Sequence, residues 1–339
     1  MARYFFGSRP RGRSWWLAGR NWIYILLVLV VLALLYGVYR MKAHNRAQEA
    51  VPGGQVSQQE IAPQLQGPAQ GEYVMSPALE VTAEADPKVA ELISQAIALA
   101  DARPPRIIEA RDRLNELLPI PMSAEQRAFI KEQLGKLAQQ WLFSRKIFPQ
   151  DRLCERLHIK PGAILSSIGR EHKVPHEILM DINGIVRAES LQAGDIIKVI
   201  NGPFHARVHR SVFTIDLYLQ NTYVCSFPVG LGQPGRETPT GLWLAKVGGK
   251  LIKPAWTDPD TGKTYQPQDP DYPLGSRWIG LEGIEGQAKD RTGFAIHGTK
   301  NPEQIGTLGS KGCVRLHNGD VILVYNLLMP GFSKVEIVD

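Results

Sequence analysis

Cysteine is scarce in this chain of 339 residues: only Cys154, Cys225 and Cys313 are present. Three thiols cannot build a disulfide scaffold, and an odd number leaves at least one free. Cys154 and Cys225 read as small buried hydrophobes, with a pairing left open if the chain is exported. Acidic residues are missing altogether from residues 1–46, which carry eight Lys or Arg. Those eight exceed the whole net charge of +6, so the remainder is slightly acidic and the basic balance belongs to the N-terminus alone. That removes most of the case for nucleic-acid binding. Metal-ligand spacing is absent too: His158, His172, His176, His205, His209 and His317 form no pattern with cysteines or acids that marks a zinc site. No metal or organic cofactor is expected.

Long apolar runs are also missing, with one exception. Residues 21–39 are free of charge and dominated by Leu, Val, Ile and Tyr. At 1.5 Å per residue they span about 28 Å, the thickness of a hydrocarbon core. Arg3, Arg9, Arg11, Arg13 and Arg20 precede the run, and Trp15, Trp16, Trp22 and Tyr39 sit at interfacial positions. The positive-inside rule therefore places residues 1–20 in the cytoplasm and everything after the anchor outside it. Tyr39-Arg40-Met41 offers no small-residue cleavage site, which favours an uncleaved anchor over a signal peptide. Residues 40–85, rich in Gln, Pro, Gly, Ala and Glu, lack the large apolar residues a core needs and read as a flexible linker.

Beyond the linker the periodicity turns helical, and residues 86–147 are read as a small all-α unit. Val89, Ile93, Ala96, Ile97 and Ala100 share one face; Ile107, Leu114, Leu117 and Leu118 continue after Arg103-Pro104-Pro105. Ser123 followed by Gln126 forms a capping box before Ile130, Leu134, Leu137 and Trp141. These stripes are read as the unit's own core, and no protein partner is identified for it. Residues 152–201 read as strand, two short helices and strand. Pro161-Gly162-Ala163-Ile164-Leu165, Asp181-Ile182-Asn183-Gly184 and Leu191-Gln192-Ala193-Gly194-Asp195 together resemble a LysM module. That resemblance implies a βααβ fold and affinity for N-acetylglucosamine-containing glycans; a spacer without glycan affinity is the alternative.

From Val208 onward the pattern is β. Phe213, Ile215, Leu217 and Leu219 alternate with polar positions, and Val224 to Val229 returns after the Gln220-Asn221-Thr222 turn. A helix is expected only from about Gly319 to Leu328, with Asp320 in its first turn, before a last strand from Ser333 to Val338. Within this region Ile296-His297-Gly298-Thr299 and Ser310-Lys311-Gly312-Cys313-Val314-Arg315-Leu316 join a histidine and a cysteine to small residues. A thiol is mostly protonated near neutral pH, so Cys313 needs His297, as base or as imidazolium partner, to act as a nucleophile. Gly312 leaves room for a substrate carbonyl, and the N–H groups of Gly312 and Cys313 are candidate oxyanion donors.

The order Thr238-Pro239-Thr240-Gly241, Pro273-Leu274-Gly275-Ser276-Arg277-Trp278-Ile279, His297-Gly298-Thr299, Ser310 to Leu316 and Asp320-Val321 closely resembles the YkuD-type L,D-transpeptidases. The match runs from residue 208 to 339. It implies a mainly β catalytic domain with one late helix, spanning 204–339, and a cysteine acyltransferase acting on peptidoglycan stem peptides. It also implies that the carbonyl of Gly298 orients His297, and that Arg315 is the family's common arginine. Arg315, Ser310, Thr299 and Lys311 are candidates for substrate binding; bracing is the alternative for Arg315 and turn-shaping for Ser310. Where the family usually carries Arg or His, this chain has Lys311, which keeps the charge but loses the planar fork. Trp243 and Trp278 are candidates for pocket walls, with core packing the preferred reading for each. The reading is a multidomain, single-pass cytoplasmic-membrane protein whose partners are peptidoglycan and the membrane. An L,D-carboxypeptidase and a non-enzymatic peptidoglycan-binding anchor are its alternatives.

Overall fold

The computed structural model describes residues 81–82 and 84–339. The anchor expected over 21–39 and nearly all of the expected linker lie outside the described residues. Among the described residues, no helix is long and apolar enough to cross a membrane.

Helix formation in the first unit follows local chemistry. The Asp86 side chain accepts from the Lys88 N–H at 2.8 Å and opens α1 (Pro87–Ala100), whose proline occupies the first turn, where no donor is lost. Helix α2 (Ile107–Leu117) buries Ile107, Ile108, Leu114 and Leu117. Helix α3 (Ala124–Trp141) starts at the capping box, with both the Ser123 and Gln126 halves formed, and buries Ile130, Leu134, Leu137 and Trp141. A short parallel pair, β1 (Val81–Thr82) with β2 (Met122–Ser123), precedes that helix. The far end of α3 is closed from outside: the buried Lys198 ammonium donates to the carbonyls of Trp141, Leu142 and Ser144. A cation at a helix C-terminus satisfies both the orphan carbonyls and the dipole. Burial nevertheless pulls the Lys198 pKa down, with Cys154 and Asp151 opposing that shift.

Lys198 belongs to the next unit, where β3 (Cys154–His158) and β4 (Ile196–Ile200) pair antiparallel around α4 (Leu165–Glu171) and α5 (His176–Asn183). The Asn183 side chain bonds the Lys198 N–H and C=O, each at 2.8 Å, and the Leu179 carbonyl, so helix and strand are stitched together in the interior. Gly184 ends α5 in the left-handed conformation.

The remaining chain builds one mixed eight-stranded sheet. Its strands are β5 (Phe204–His209), β6 (Thr214–Leu219), β7 (Thr222–Pro228), β9 (Gly241–Leu251), β12 (Trp278–Glu285), β13 (Phe294–His297), β15 (Val314–Arg315) and β16 (Lys334–Val338). Across the sheet the order is β15-β13-β12-β9-β16-β5-β6-β7. The expected hairpin is β6–β7, turning at Leu219↔Thr222. Two small ladders stand apart: β8 (Leu231–Gly232) parallel with β14 (Leu308–Ser310), and β10 (Trp256–Thr257) antiparallel with β11 (Thr264–Tyr265). Helix α6 (Asn318–Leu327) follows β15, one residue earlier at each end than the sequence suggests, and buries Val321, Val324 and Leu327.

Candidate active site

The parallel pairing of β13 with β15 sets Ile296 against Val314 and His297 against Arg315. Cys313 immediately precedes β15, so the topology brings the two reactive residue types to adjacent strands at one edge of the sheet. His297 is buried at 4% exposure, and its Nδ1 lies 2.6 Å from the Gly298 carbonyl oxygen. A carbonyl only accepts, so Nδ1 carries the proton and Nε2 is the basic nitrogen. The Trp278 ring stacks on the imidazole at a centroid distance of 5.4 Å and 19° between planes, because Trp278 and His297 face each other across the antiparallel β12–β13 pair. Of the two readings of Trp278, pocket wall and core, the geometry favours the wall: its ring flanks the histidine's slot. Trp243, by contrast, is fully buried.

Burial dominates the electrostatics. It pushes His297 down to about 4, against backbone hydrogen bonds at Gly298 and Leu274, with Arg315 lowering it further. It pushes the Cys313 thiol up to about 11, against a backbone hydrogen bond at Ala295 and the Arg315 charge. At neutral pH the resting pair is thus thiol and neutral imidazole, not an ion pair. Cys154 and Cys225 are also free, and burial raises both to about 12.

The nucleophile loop is held from within. Ser310, at 1% exposure, donates its hydroxyl to the Cys313 carbonyl at 2.6 Å and accepts from the Gly312 N–H at 3.1 Å. Ser310 is therefore a turn-shaping residue, and the Gly312 N–H, expected as an oxyanion donor, is already committed to it. Gly312 itself has φ of 110°, and a Cβ there would meet the Phe294 ring at 2.8 Å. Arg315 donates to the Gln304 side-chain oxygen and to the Gly309 carbonyl at 3.3 Å, which is bracing; its Nε is buried without a partner. Thr299 is buried at 4%, its hydroxyl accepting from the Asn301 N–H at 3.0 Å, and so shapes the turn after the histidine. Lys311 pairs with Asp258 Oδ1 at 2.6 Å and Asp260 Oδ2 at 2.8 Å. Asp320 lies in the first turn of α6.

Sequence reasoning missed the residues that tie these segments together. Asn318, the first residue of α6, accepts from the Ser276 N–H at 3.0 Å and donates to the Thr299 carbonyl at 2.9 Å, joining the Gly275 turn to the histidine turn. Gly275 is required there: at φ of 66°, a Cβ would lie 2.5 Å from the Thr299 nitrogen. Asp258-Pro259-Asp260-Thr261-Gly262 has the composition of a tight turn, the only local signal for the carboxylates that meet Lys311. Among the described residues, no group of three or more His, Cys, Asp or Glu could hold a metal ion.

Comparison with known proteins places this site in context. The family profile of the L,D-transpeptidase catalytic domain, YkuD, matches residues 204–337. The YkuD protein of Bacillus subtilis is 30% identical over 186 residues, covering 53% of this chain and 96% of that protein. The ErfK/SrfK protein of Escherichia coli K12 is 35% identical over 200 residues, covering 55% of this chain and 56% of the relative. Both are named as L,D-transpeptidases. Among solved structures, an L,D-transpeptidase from Mycobacterium tuberculosis H37Rv aligns with 15% identity and a TM-score of 0.32, covering 44% of this chain and 64% of that one.

Proposed function

The chain belongs to the YkuD family of L,D-transpeptidases, and on that premise we propose that it cross-links peptidoglycan stem peptides through a thioester on Cys313. The observation that carries this reading is the His297 ring, protonated at Nδ1 by its bond to the Gly298 carbonyl and placed on the strand beside Cys313. The Cys313 thiol attacks the carbonyl of the L-centre residue of a donor tetrapeptide stem, and its proton passes to His297 Nε2. The neutral imidazole and protonated thiol described above suit this general-base route. The Cys313 N–H is the proposed oxyanion donor, joined by Gly312 only when Ser310 turns away. His297 then protonates the departing D-alanine amine, and an acceptor amine resolves the thioester.

Residues 21–39 are proposed as the membrane anchor and 40–85 as the tether that sets the reach of the catalytic domain at 204–339. The strand–helix–helix–strand arrangement within 152–201 supports a LysM-like module that holds glycan nearby and so raises local substrate concentration. A pull-down of the full chain on insoluble peptidoglycan, compared with a chain lacking 152–201, tests that module; equal recovery removes it from the proposal.

The activity is tested by incubating the full chain with defined tetrapeptide muropeptides and reading products by mass. Cross-linked dimers with release of D-alanine are expected. Release of D-alanine without dimers makes the enzyme a carboxypeptidase, and no turnover with no thioester on Cys313 defeats the enzymatic reading.

A further inference from the structure

The β10–β11 hairpin stands outside the main sheet. A lone two-stranded ladder is marginal in water, so its position depends on what ties it down. Its own contacts are local: Trp256 and Tyr265 stack at 6.0 Å, the Thr257 and Thr264 hydroxyls meet at 2.9 Å, and the Asp260 N–H bonds Asp258 at 2.9 Å. The tip is fastened elsewhere by charge. Asp258 and Asp260 both hold Lys311, two positions before the nucleophile, and Asp260 also receives the Arg236 guanidinium at 2.7 Å and 2.8 Å. The Arg236 backbone in turn abuts the nucleophile loop, its carbonyl oxygen lying 3.6 Å from where a Gly312 Cβ would be. Three segments that are distant in sequence therefore meet at the residues leading into Cys313.

We propose that Asp258 and Asp260 are positioning residues of the transfer reaction, acting through Lys311. They clamp the Trp256–Tyr265 hairpin onto the nucleophile loop and set how firmly a peptide substrate is held, while Lys311 itself does not bind substrate. This rests on the acyl-transfer reading above and assigns it a grip specific to this chain, because Lys311 replaces the usual Arg or His. Lys311 keeps its charge: although desolvation opposes it, the hydrogen bonds it donates to Asp258 and Asp260 raise its pKa. The four side chains are 14–44% exposed, so the clamp is reached by solvent and is screened by salt.

The test uses the full chain, with kcat and KM measured on a donor tetrapeptide stem at low and high salt. Asp258→Asn/Asp260→Asn is expected to raise KM about tenfold and change kcat less than about twofold, consistent with three partly exposed ion pairs acting together. Salt raises the wild-type KM in the same direction and leaves that of the double variant nearly unchanged. Lys311→Arg keeps wild-type values, since a guanidinium can bridge both carboxylates. Hydrogen exchange of residues 256–265 quickens in the double variant. Unchanged KM and unchanged exchange overturn the clamp, as does a Lys311→Met variant with raised KM beside a normal double variant, which places Lys311 on the substrate. If the wild type transfers nothing, the acyl-transfer reading fails. The clamp is then decided by exchange of 256–265 and by iodoacetamide alkylation of Cys313: faster in the double variant supports it, equal in both overturns it.

Discussion

The two edges of the catalytic sheet are treated in opposite ways. At the β7 edge the helical unit closes over the strand: the Asn115 side chain accepts from the Tyr223 N–H at 2.9 Å and donates to the Asn221 carbonyl at 3.2 Å. Lys131, on α3, reaches Asp216 at 2.6 Å, and Asp216, at 1% exposure, also receives His209 at 3.0 Å. Covering an edge strand in this way removes an aggregation hazard and adds polar bonds between helix and sheet. At the other edge, β15 is two residues long and emerges from a glycine-bearing loop whose outer fastening is a solvent-reached ion-pair cluster. Stability is concentrated where helices cover the sheet, and chemistry is placed at the β15 edge, whose outer side carries a single antiparallel bridge between Arg315 and Gly230. The division is economical, because a substrate must reach Cys313 while nothing needs to reach Asp216.

Substitutions at the two edges should therefore separate activity from folding. Cys313→Ala is expected to lower acyl transfer about ten-thousand-fold or more, with the thermal midpoint nearly unchanged, as read by muropeptide mass analysis and calorimetry. Asp216→Ala should do the reverse. Removing one partner from a buried charge cluster costs about 3 kcal/mol, measured by urea unfolding, while kcat stays within about a factor of two. The comparison breaks if Asp216→Ala instead abolishes turnover in protein that remains folded. Acid should weaken this edge as well: burial pushes the Asp216 carboxyl up, but His209 and Lys131 bring it below the ordinary range. A carboxylate with a lowered pKa stabilises the fold above its unfolded value of about 3.9, and that contribution is lost as pH falls through the folded value.

A different pH window belongs to the histidines. Burial lowers both His297 and His205 to about 4, and His205 Nδ1 accepts from the Lys334 N–H at 3.1 Å, which holds it neutral. Unfolded histidine titrates near 6.5, so between about 6.5 and 4 the unfolded chain binds more protons. The sign is clear: stability present above pH 6.5 is lost as pH falls toward 4, by about 3 kcal/mol for each ring. Denaturant melts from neutral pH down to about 4 should show this slope, and His205→Gln should retain roughly half of it. A flat profile would mean that neither ring is held neutral by the fold.

Much of this architecture was legible in the sequence because its signals are local. The Ser123–Gln126 capping box, the β6–β7 alternation and the glycine stop after α5 each depend on residues within a few positions of one another. The cysteine and histidine motifs were legible as chemistry for the same reason. What could not be read is what lies across the strands. Trp278 meets His297 only through the β12–β13 register, Asn318 joins two turns only when α6 folds back, and Lys311 finds its acids only when a hairpin fifty positions upstream closes on it. The Gly312 N–H looked free because no sequence pattern reports that Ser310 turns its hydroxyl inward. The expected anchor at 21–39 lies outside the described residues.

The smallest expected effect tests how far the β15 edge relies on packing rather than on the reactive pair alone. His297 is constrained by the Gly298 carbonyl at Nδ1, by a backbone hydrogen bond at Leu274 and by the Trp278 face. The Gly298 carbonyl fixes the tautomer, and hydrogen bonds in the ring plane still let the ring tilt out of that plane. The indole limits that tilting, and an aromatic stack of this kind is worth about 0.5–1.5 kcal/mol beyond the area it buries. Trp278→Ala should therefore lower kcat about tenfold, by loosening the alignment of Nε2 with the thiol, leave KM in place, and let the histidine pKa rise from its lowered value as water reaches the ring. Trp278→Phe should recover most of the rate, because a smaller ring still covers one face. If Trp278→Ala raises KM and leaves kcat intact, the indole contacts substrate rather than the base. The β15 edge would then be shaped for its ligand, with His297 held by its backbone hydrogen bonds at Gly298 and Leu274.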